Sequence, residues 1–181
     1  GVNLISHTVN HYDGDAFAGL PPGKLGKYGA LTRSEALVLT DDLLESAYGN
    51  RRSAYLRGTA ELPPGAPAGF GSDLGYRLET ASPAGYHDGY YADTQSQQFD
   101  FQDGDAPRGR GLITAMQDAL GNRTTIQHDH YWLLPARVTD PADLETEAEY
   151  DYRVLQPRRL TGPNDNATHF RYTPLGLLHK Q

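Results

Sequence analysis

Asp118-Ala-Leu-Gly-Asn-Arg-Thr-Thr-Ile-Gln-His-Asp129, Asp140-Pro-Ala-Asp-Leu-Glu-Thr-Glu-Ala-Glu-Tyr-Asp151 and Gly162-Pro-Asn-Asp-Asn-Ala-Thr-His-Phe-Arg-Tyr-Thr173 repeat one pattern at intervals of 22 residues. Thr124, Thr146 and Thr168 share a slot, as do His128, Tyr150 and Tyr172, and Leu133, Leu155 and Leu177. Pro135 matches Pro157, Arg137 matches Arg159, and Thr139 matches Thr161. A fixed period of this kind marks architecture rather than catalysis.

Each unit opens on residues that reverse a chain, Asp118 to Asn122, Asp140 to Asp143 and Gly162 to Asn166,. Alternation follows. Thr124, Ile126 and His128 share one face of a strand, as do Thr146, Ala148 and Tyr150, then Thr168, Phe170 and Tyr172. Between them stand mostly polar residues, Glu145, Glu147 and Glu149 in the second unit, which predicts a solvated or lumen-facing surface rather than a carboxylate site. A second short run, Leu133 to Val138 or Val154 to Leu160, completes a hairpin per repeat.

A lone hairpin is marginal in water, so each unit must lay its ladder against a neighbour. The chain begins at Gly1 and stops at Lys180-Gln181, within the second strand of the third unit, and is read as part of a longer protein. With both sheet edges uncapped, the isolated segment is expected to be marginally stable or to aggregate.

The remainder points the same way. Gly and Pro make up 32 of the 181 residues, which favours turn-rich all-β structure,. Twelve tyrosines and 38% hydrophobic content suffice for a sheet-based core,. The net charge of −7 divides into −5 before residue 116 and −2 after it, so neither part offers a basic footprint for nucleic acid,. No apolar run approaches the roughly 20 residues of a membrane-spanning helix. Without cysteine there is no disulfide, thiol nucleophile or cysteine-ligated zinc,.

Two domains are read, 1–115 and 116–181. In the first, Leu4 to Tyr12 is a strand leading into the long turn Gly19 to Gly26. Leu31 to Leu39 fits either a buried strand or a helix and is read as a strand. One short helix is predicted at Asp41 to Tyr48, capped by Thr40, closed by Gly49, with Leu43, Leu44, Ala47 and Tyr48 as its apolar stripe. Glu61 to Gly75 reads as a proline-rich loop. Phe99 and Phe101 are placed on one strand face, with Asp103 to Gly109 returning the chain as a hairpin.

Candidate sites are weighed against plain structure. Asp-Gly-Asp-Ala at 13–16 and 103–106 suggests calcium, but Lys24 and Thr114 fall where an EF-hand needs glutamate, so both are read as turns,. His7 with His11, and His128 with His130, have metal-compatible spacing without a third ligand nearby. Gly19 to Lys24 lacks phosphate-loop spacing, and no nucleophile elbow or triad is evident. Asn122-Arg-Thr124 and Asn166-Ala-Thr168 match a glycosylation sequon but are explained by repeat position. No catalytic, cofactor-binding or metal-ligating residue is assigned.

Asp118 to Asp129 and Tyr150-Asp-Tyr-Arg-Val-Leu-Gln-Pro-Arg-Arg-Leu160 resemble the tyrosine-aspartate (YD) repeats of Rhs proteins. His11 to Leu20, Tyr28 to Leu44 and Phe170 to Leu177 resemble the middle and C-terminal region of the B component of bacterial insecticidal toxin complexes. The resemblance departs at His128, Leu144, Gly162 and Thr173, which replace the usual tyrosine, asparagine and two aspartates. Thr173-Pro-Leu-Gly-Leu177 lacks the carboxylate of the related self-cleavage motif, so no protease activity is carried over.

What the resemblance implies is a secreted virulence protein without catalysis of its own. It would form part of a continuous curved β-shell, with the C component, that encloses a cytotoxic polypeptide for delivery through the A-component channel. The competing reading is a surface adhesion or carbohydrate-binding module, in which exposed Tyr86, Tyr90 and Tyr91 stack on sugars. A hydrolytic enzyme is the third reading, and no nucleophile with a base can be named for it.

Overall fold

The computed structural model describes residues 4, 6–51, 75–79, 85–103 and 109–180. They form strands β1 (Thr8–Tyr12), β2 (Leu31–Leu39), β3 (Tyr76–Glu79), β4 (Gly89–Phe99), β5 (Ile113–Gln117), β6 (Arg123–His128), β7 (Pro135–Thr139), β8 (Glu145–Asp151), β9 (Gln156–Thr161), β10 (Ala167–His169), β11 (Arg171–Tyr172) and β12 (Leu178–Lys180). One α-helix, α1 (Asp41–Tyr48), and short 3-10 turns at Gly49–Arg51 and Asp100–Gln102 accompany them. The fold is all-β and antiparallel. Contacts divide the chain into a unit drawn from 1–111 and 116–122 and a second drawn from 112–115 and 123–181.

In the first unit β2 pairs with β1 on one side and β4 on the other, and β3 covers the far side of the start of β4. α1 has its predicted bounds because the Thr40 hydroxyl accepts from Leu43 N at 3.2 Å and Gly49, at φ 49°, ends the last turn,. Its expected apolar stripe shrinks to one residue. Leu44 is 2% exposed, whereas Leu43 and Tyr48 are each 52% exposed and Ala47 is exposed as well.

Phe101 is not on a strand. β4 ends at Phe99 because the Gln102 side chain accepts from Phe99 N, and the chain tightens so that buried Asp100 accepts from Arg110 N at 2.7 Å and Gly111 N at 3.0 Å. The Phe99 and Phe101 rings still stack, with centroids 5.3 Å apart. The loop read at Glu61 to Gly75 lies, apart from Gly75, outside the described residues. So do residues 104–106 of the second Asp-Gly-Asp-Ala and most of the return segment read at Asp103 to Gly109.

In the second unit the sequence period is a backbone period. Thr125 faces Thr139, Ile126 faces Val138, Gln127 faces Arg137 and His128 faces Pro135. Adding 22 to each gives Glu147 with Thr161, Ala148 with Leu160, Glu149 with Arg159 and Tyr150 with Pro157. The same bulge recurs, leaving Ala136 and Arg158 as the extra residues,. β8 lies on β7 as β10 lies on β9, with Thr146 on Val138 and Thr168 on Leu160.

The turns repeat as well. Asp118 N, Asp140 N and Gly162 N donate to Asn122 O, Leu144 O and Asn166 O, and the fourth residues Gly121, Asp143 and Asp165 take φ of 87°, 59° and 58°. This is a type I turn followed by a left-handed residue. Asp118 Oδ1 and Asp140 Oδ1 each accept two backbone N–H groups of their turn. Gly162 has no side chain to do so.

The third hairpin breaks the period by one residue. Tyr172 faces Leu178, six positions on, whereas Tyr150 faces Pro157, seven positions on. Thr173 to Leu177 instead closes as a turn of the Asp118 kind, with left-handed Gly176 and the Thr173 hydroxyl accepting from Leu177 N at 3.1 Å. Leu177 therefore does not fill the structural slot of Leu133 and Leu155.

Candidate functional site

Two arrangements concentrate the chemistry, one in each unit. In the first, β-sheet register alone gathers charged residues on one face. Val9 and His11 of β1 oppose Glu35 and Arg33 of β2, Glu35 opposes Asp93 of β4, and Tyr91 of β4 opposes Arg77 of β3. Tyr86 crosses this face, edge-on to Tyr91 at 5.0 Å.

Glu35 sits at the centre, with no exposed surface. Arg33 Nη1 lies 2.7 Å from its Oε1, Arg77 pairs with its Oε2, and the Tyr86 hydroxyl donates to that oxygen at 2.8 Å. The contact at Oε1 is an ion pair in distance, although it lacks hydrogen-bond alignment. His11 Nδ1 faces Leu20 O at 2.9 Å, which only accepts, so Nδ1 carries the proton,. Its Nε2 lies 3.0 Å from the Tyr86 hydroxyl and 3.5 Å from Glu35. Burial, then the bond to Glu35, pushes the Tyr86 phenol up. Asp93 is raised by burial, against the pull of Arg33 at 3.8 Å.

An open cleft of about 450 Å³, lined by Arg33, Tyr76, Arg77, Tyr91 and Asp93, adjoins the cluster. The arrangement neutralises a buried carboxylate with two guanidiniums. With both guanidiniums and the Tyr86 hydroxyl on one carboxylate, the arrangement is that of a fixed internal ion pair,.

In the second unit the repeat tyrosines cross from one hairpin to the one before. Tyr150 donates to Pro135 O at 2.7 Å and Tyr172 to Pro157 O at 2.9 Å, each reaching 15 residues back. Buried Asp129 accepts from Tyr152 at 2.7 Å, Leu133 N at 2.8 Å and Leu134 N at 3.3 Å. Burial pushes the Asp129 carboxyl up, but these donors outweigh it and hold it below the usual range, while the same bond pushes Tyr152 up to about 12. On the polar face, Arg137 pairs with Glu145 and Glu147, and Arg158 and Arg159 pair with Glu149.

The structure separates several residues that sequence spacing put together. His7 meets His87, ring to ring at 4.7 Å, rather than His11, and burial followed by His87 lowers its imidazole. Asp13 is a turn residue whose carboxylate accepts from Gly29 N and Ala30 N. Tyr86 is 9% exposed, Tyr91 1%, and Tyr90 half-buried, so the sugar-stacking surface expected of these three is not there. Asn122 is tied to Asp118. Among the described residues no three His, Cys, Asp or Glu side chains are grouped to hold a metal, and no helix is long and apolar enough to cross a membrane.

Glu35 escaped sequence reasoning because nothing near it in sequence marks it as buried. The one available signal was its phase: it stands on the face of Arg33 and Leu37 in a nine-residue strand. The tyrosine bonds were signalled by the repeated slot of Tyr150 and Tyr172, though not their acceptors.

No protein-family profile matches the chain, and no curated protein does. Solved structures do. The Photorhabdus luminescens Tc holotoxin pore carrying TccC3-D651A matches with TM-score 0.68 at 20% identity, over 94% of this chain and 7% of that one. The TcdB2-TccC3 crystal structure matches with TM-score 0.66 at 17% identity, over 94% and 8%. The TcdB2-TccC3-Cdc42 crystal structure matches with TM-score 0.65 at 18% identity, over 94% and 7%. The chain thus spans less than a tenth of the length of the chains it matches, and across nearly all of its own length it has the fold of a section of these Tc toxin assemblies.

Proposed function

We propose that this chain is a section of the wall of a Tc-toxin β-shell, the Rhs/YD-repeat kind, in which residues 1–115 form the B-component segment and 116–181 the repeat segment. The whole protein, joined to a C component, encloses a cytotoxic polypeptide and delivers it through an A-component channel as a secreted virulence factor. The section itself has a non-catalytic role. The single observation that carries the reading is the likeness of fold over 94% of the chain to TcdB2-TccC3 structures. Hairpins coupled only to their neighbours, with an exposed charged face, support the same role.

The test is co-expression of the protein carrying this chain with a C component, followed by limited proteolysis of the C component's tail. Protection of the tail and co-elution of both partners are expected. A freely digested tail in a stably folded, co-eluting complex would overturn the encapsulating role.

A further inference from the structure

The cleft beside the Glu35 cluster holds a carboxylate that the cluster does not serve. β3 pairs with β4 from Gly89 to Ala92, so Asp93 is the first residue of β4 past the start of β3. Its side chain, 34% exposed, lines the cleft together with Arg33, Arg77, Tyr76 and Tyr91. Two guanidiniums there meet three carboxylates, and Arg33 and Arg77 make their close contacts with Glu35 and Glu79. Arg33 Nη1 stays 3.8 Å from Asp93 Oδ1, and among the described residues no hydrogen bond reaches that carboxylate. Burial raises the Asp93 carboxyl, as expected of an anion short of donors,.

We infer that this cleft is a binding site for a guanidinium group, the arginine side chain of a partner polypeptide, paired through both its N–H arms with Asp93. A carboxylate with two open oxygens accepts two parallel N–H groups from a planar guanidinium, a pairing that a single ammonium does not match. Tyr76 and Tyr91 supply aromatic wall, against which a guanidinium packs well, and the cleft of about 450 Å³ has room for the side chain,. An anionic ligand fits less well, because it would have to displace Glu35 or Glu79 from the two arginines. The inference stands on the first unit alone and does not depend on the wall reading.

The test is photolabelling of the whole protein that carries this chain, using a glycine-arginine-glycine peptide with an N-terminal benzophenone. The same peptide with citrulline or lysine in place of arginine runs beside it, and the labelled positions are mapped by mass spectrometry. The expected result is labelling at residues 75–78 or 119 by the arginine peptide and none by citrulline, which keeps the shape without the charge. Labelling should be about tenfold weaker in Asp93→Asn, the worth of one charge-assisted hydrogen bond, and weaker with lysine. Equal labelling by citrulline, labels confined to other residues, or undiminished labelling of a folded Asp93→Asn protein would overturn the site. Equal labelling by lysine would overturn the choice of guanidinium, and displacement by free arginine at lower concentration than by unlabelled peptide would overturn the polypeptide as its source. If Asp93→Asn does not fold, the citrulline comparison on the parent protein still decides.

Discussion

Replacing Glu35 with glutamine keeps the side-chain shape and removes the carboxylate that Arg33 and Arg77 share. Breaking a buried ion pair from one side costs about 3–5 kcal/mol, because a charge is left without its partner. Two features of this site reduce that. The Arg77 side chain is 46% exposed and keeps Glu79, and Arg33 is 22% exposed and keeps Asp93. Both guanidiniums recover part of their solvation, and the expected loss for Glu35→Gln is about 2–3 kcal/mol, roughly a 30- to 150-fold change in the unfolding constant. Arg77→Gln takes one of two guanidiniums from a carboxylate with no exposed surface and should cost about 1–3 kcal/mol,. Urea unfolding by far-UV circular dichroism, with amide exchange at β2 and β4 to localise the effect, measures both. A Glu35→Gln protein within about 0.5 kcal/mol of the parent, or more stable than it, would refute the claim that the carboxylate is what holds this face together.

Asp13 and Asp129 both have carboxyls held below the usual 3.8, so the stability they contribute is present above that value and lost as pH falls through their folded values,. The contribution of these two carboxylates should therefore persist from neutrality to about pH 4 and be lost below it, with Asp129→Asn flattening that limb, while the lowered imidazole of His7 removes stability as pH falls below about 6.5 and the raised carboxyl of Asp93 acts in the opposite sense,. Tyr150→Phe should cost about 1 kcal/mol and speed amide exchange between β7 and β8 without disturbing the first unit. Leu155 sits at φ 53° with 49% exposure, so Leu155→Gly should stabilise the protein by up to about 1 kcal/mol, read as a higher urea midpoint,. Gly89→Ala should destabilise measurably in the same assay, since its backbone is at φ 148° and an added Cβ would meet Leu39 O at 2.5 Å.

How far the sequence could be read depended on whether the signal was local. The bounds of α1 and the faces of the first two repeat strands follow from a capping threonine, alternation and turn residues, all within a few positions of the element they define, whereas the third repeat strand breaks at Phe170 into β10 and β11 and β2 came from an apolar run that fits strand and helix alike. Phe101 was misplaced because the event that ends β4, capture of Arg110 and Gly111 by Asp100, involves residues ten positions away. Tyr86 and Tyr91 look like surface aromatics beside His87 and Asp88. They are buried because β1 and β2, far earlier in the chain, supply the face they cover. Glu35 is the extreme case: three of its partners, His11, Arg77 and Tyr86, arrive from 24, 42 and 51 residues away. The slipped register of the third hairpin was hidden because Leu177 keeps the numerical period while the turn beneath it shortens.

The bonds from Tyr150 and Tyr172 join each hairpin to its predecessor and to no other. In such a chain of pairwise links a lesion is felt most by the adjoining module, and loosening advances from a broken end like an unfastened seam. Pulling on the C-terminus should accordingly produce a sequence of small, evenly spaced yields rather than one abrupt rupture, each releasing one module's length of polypeptide.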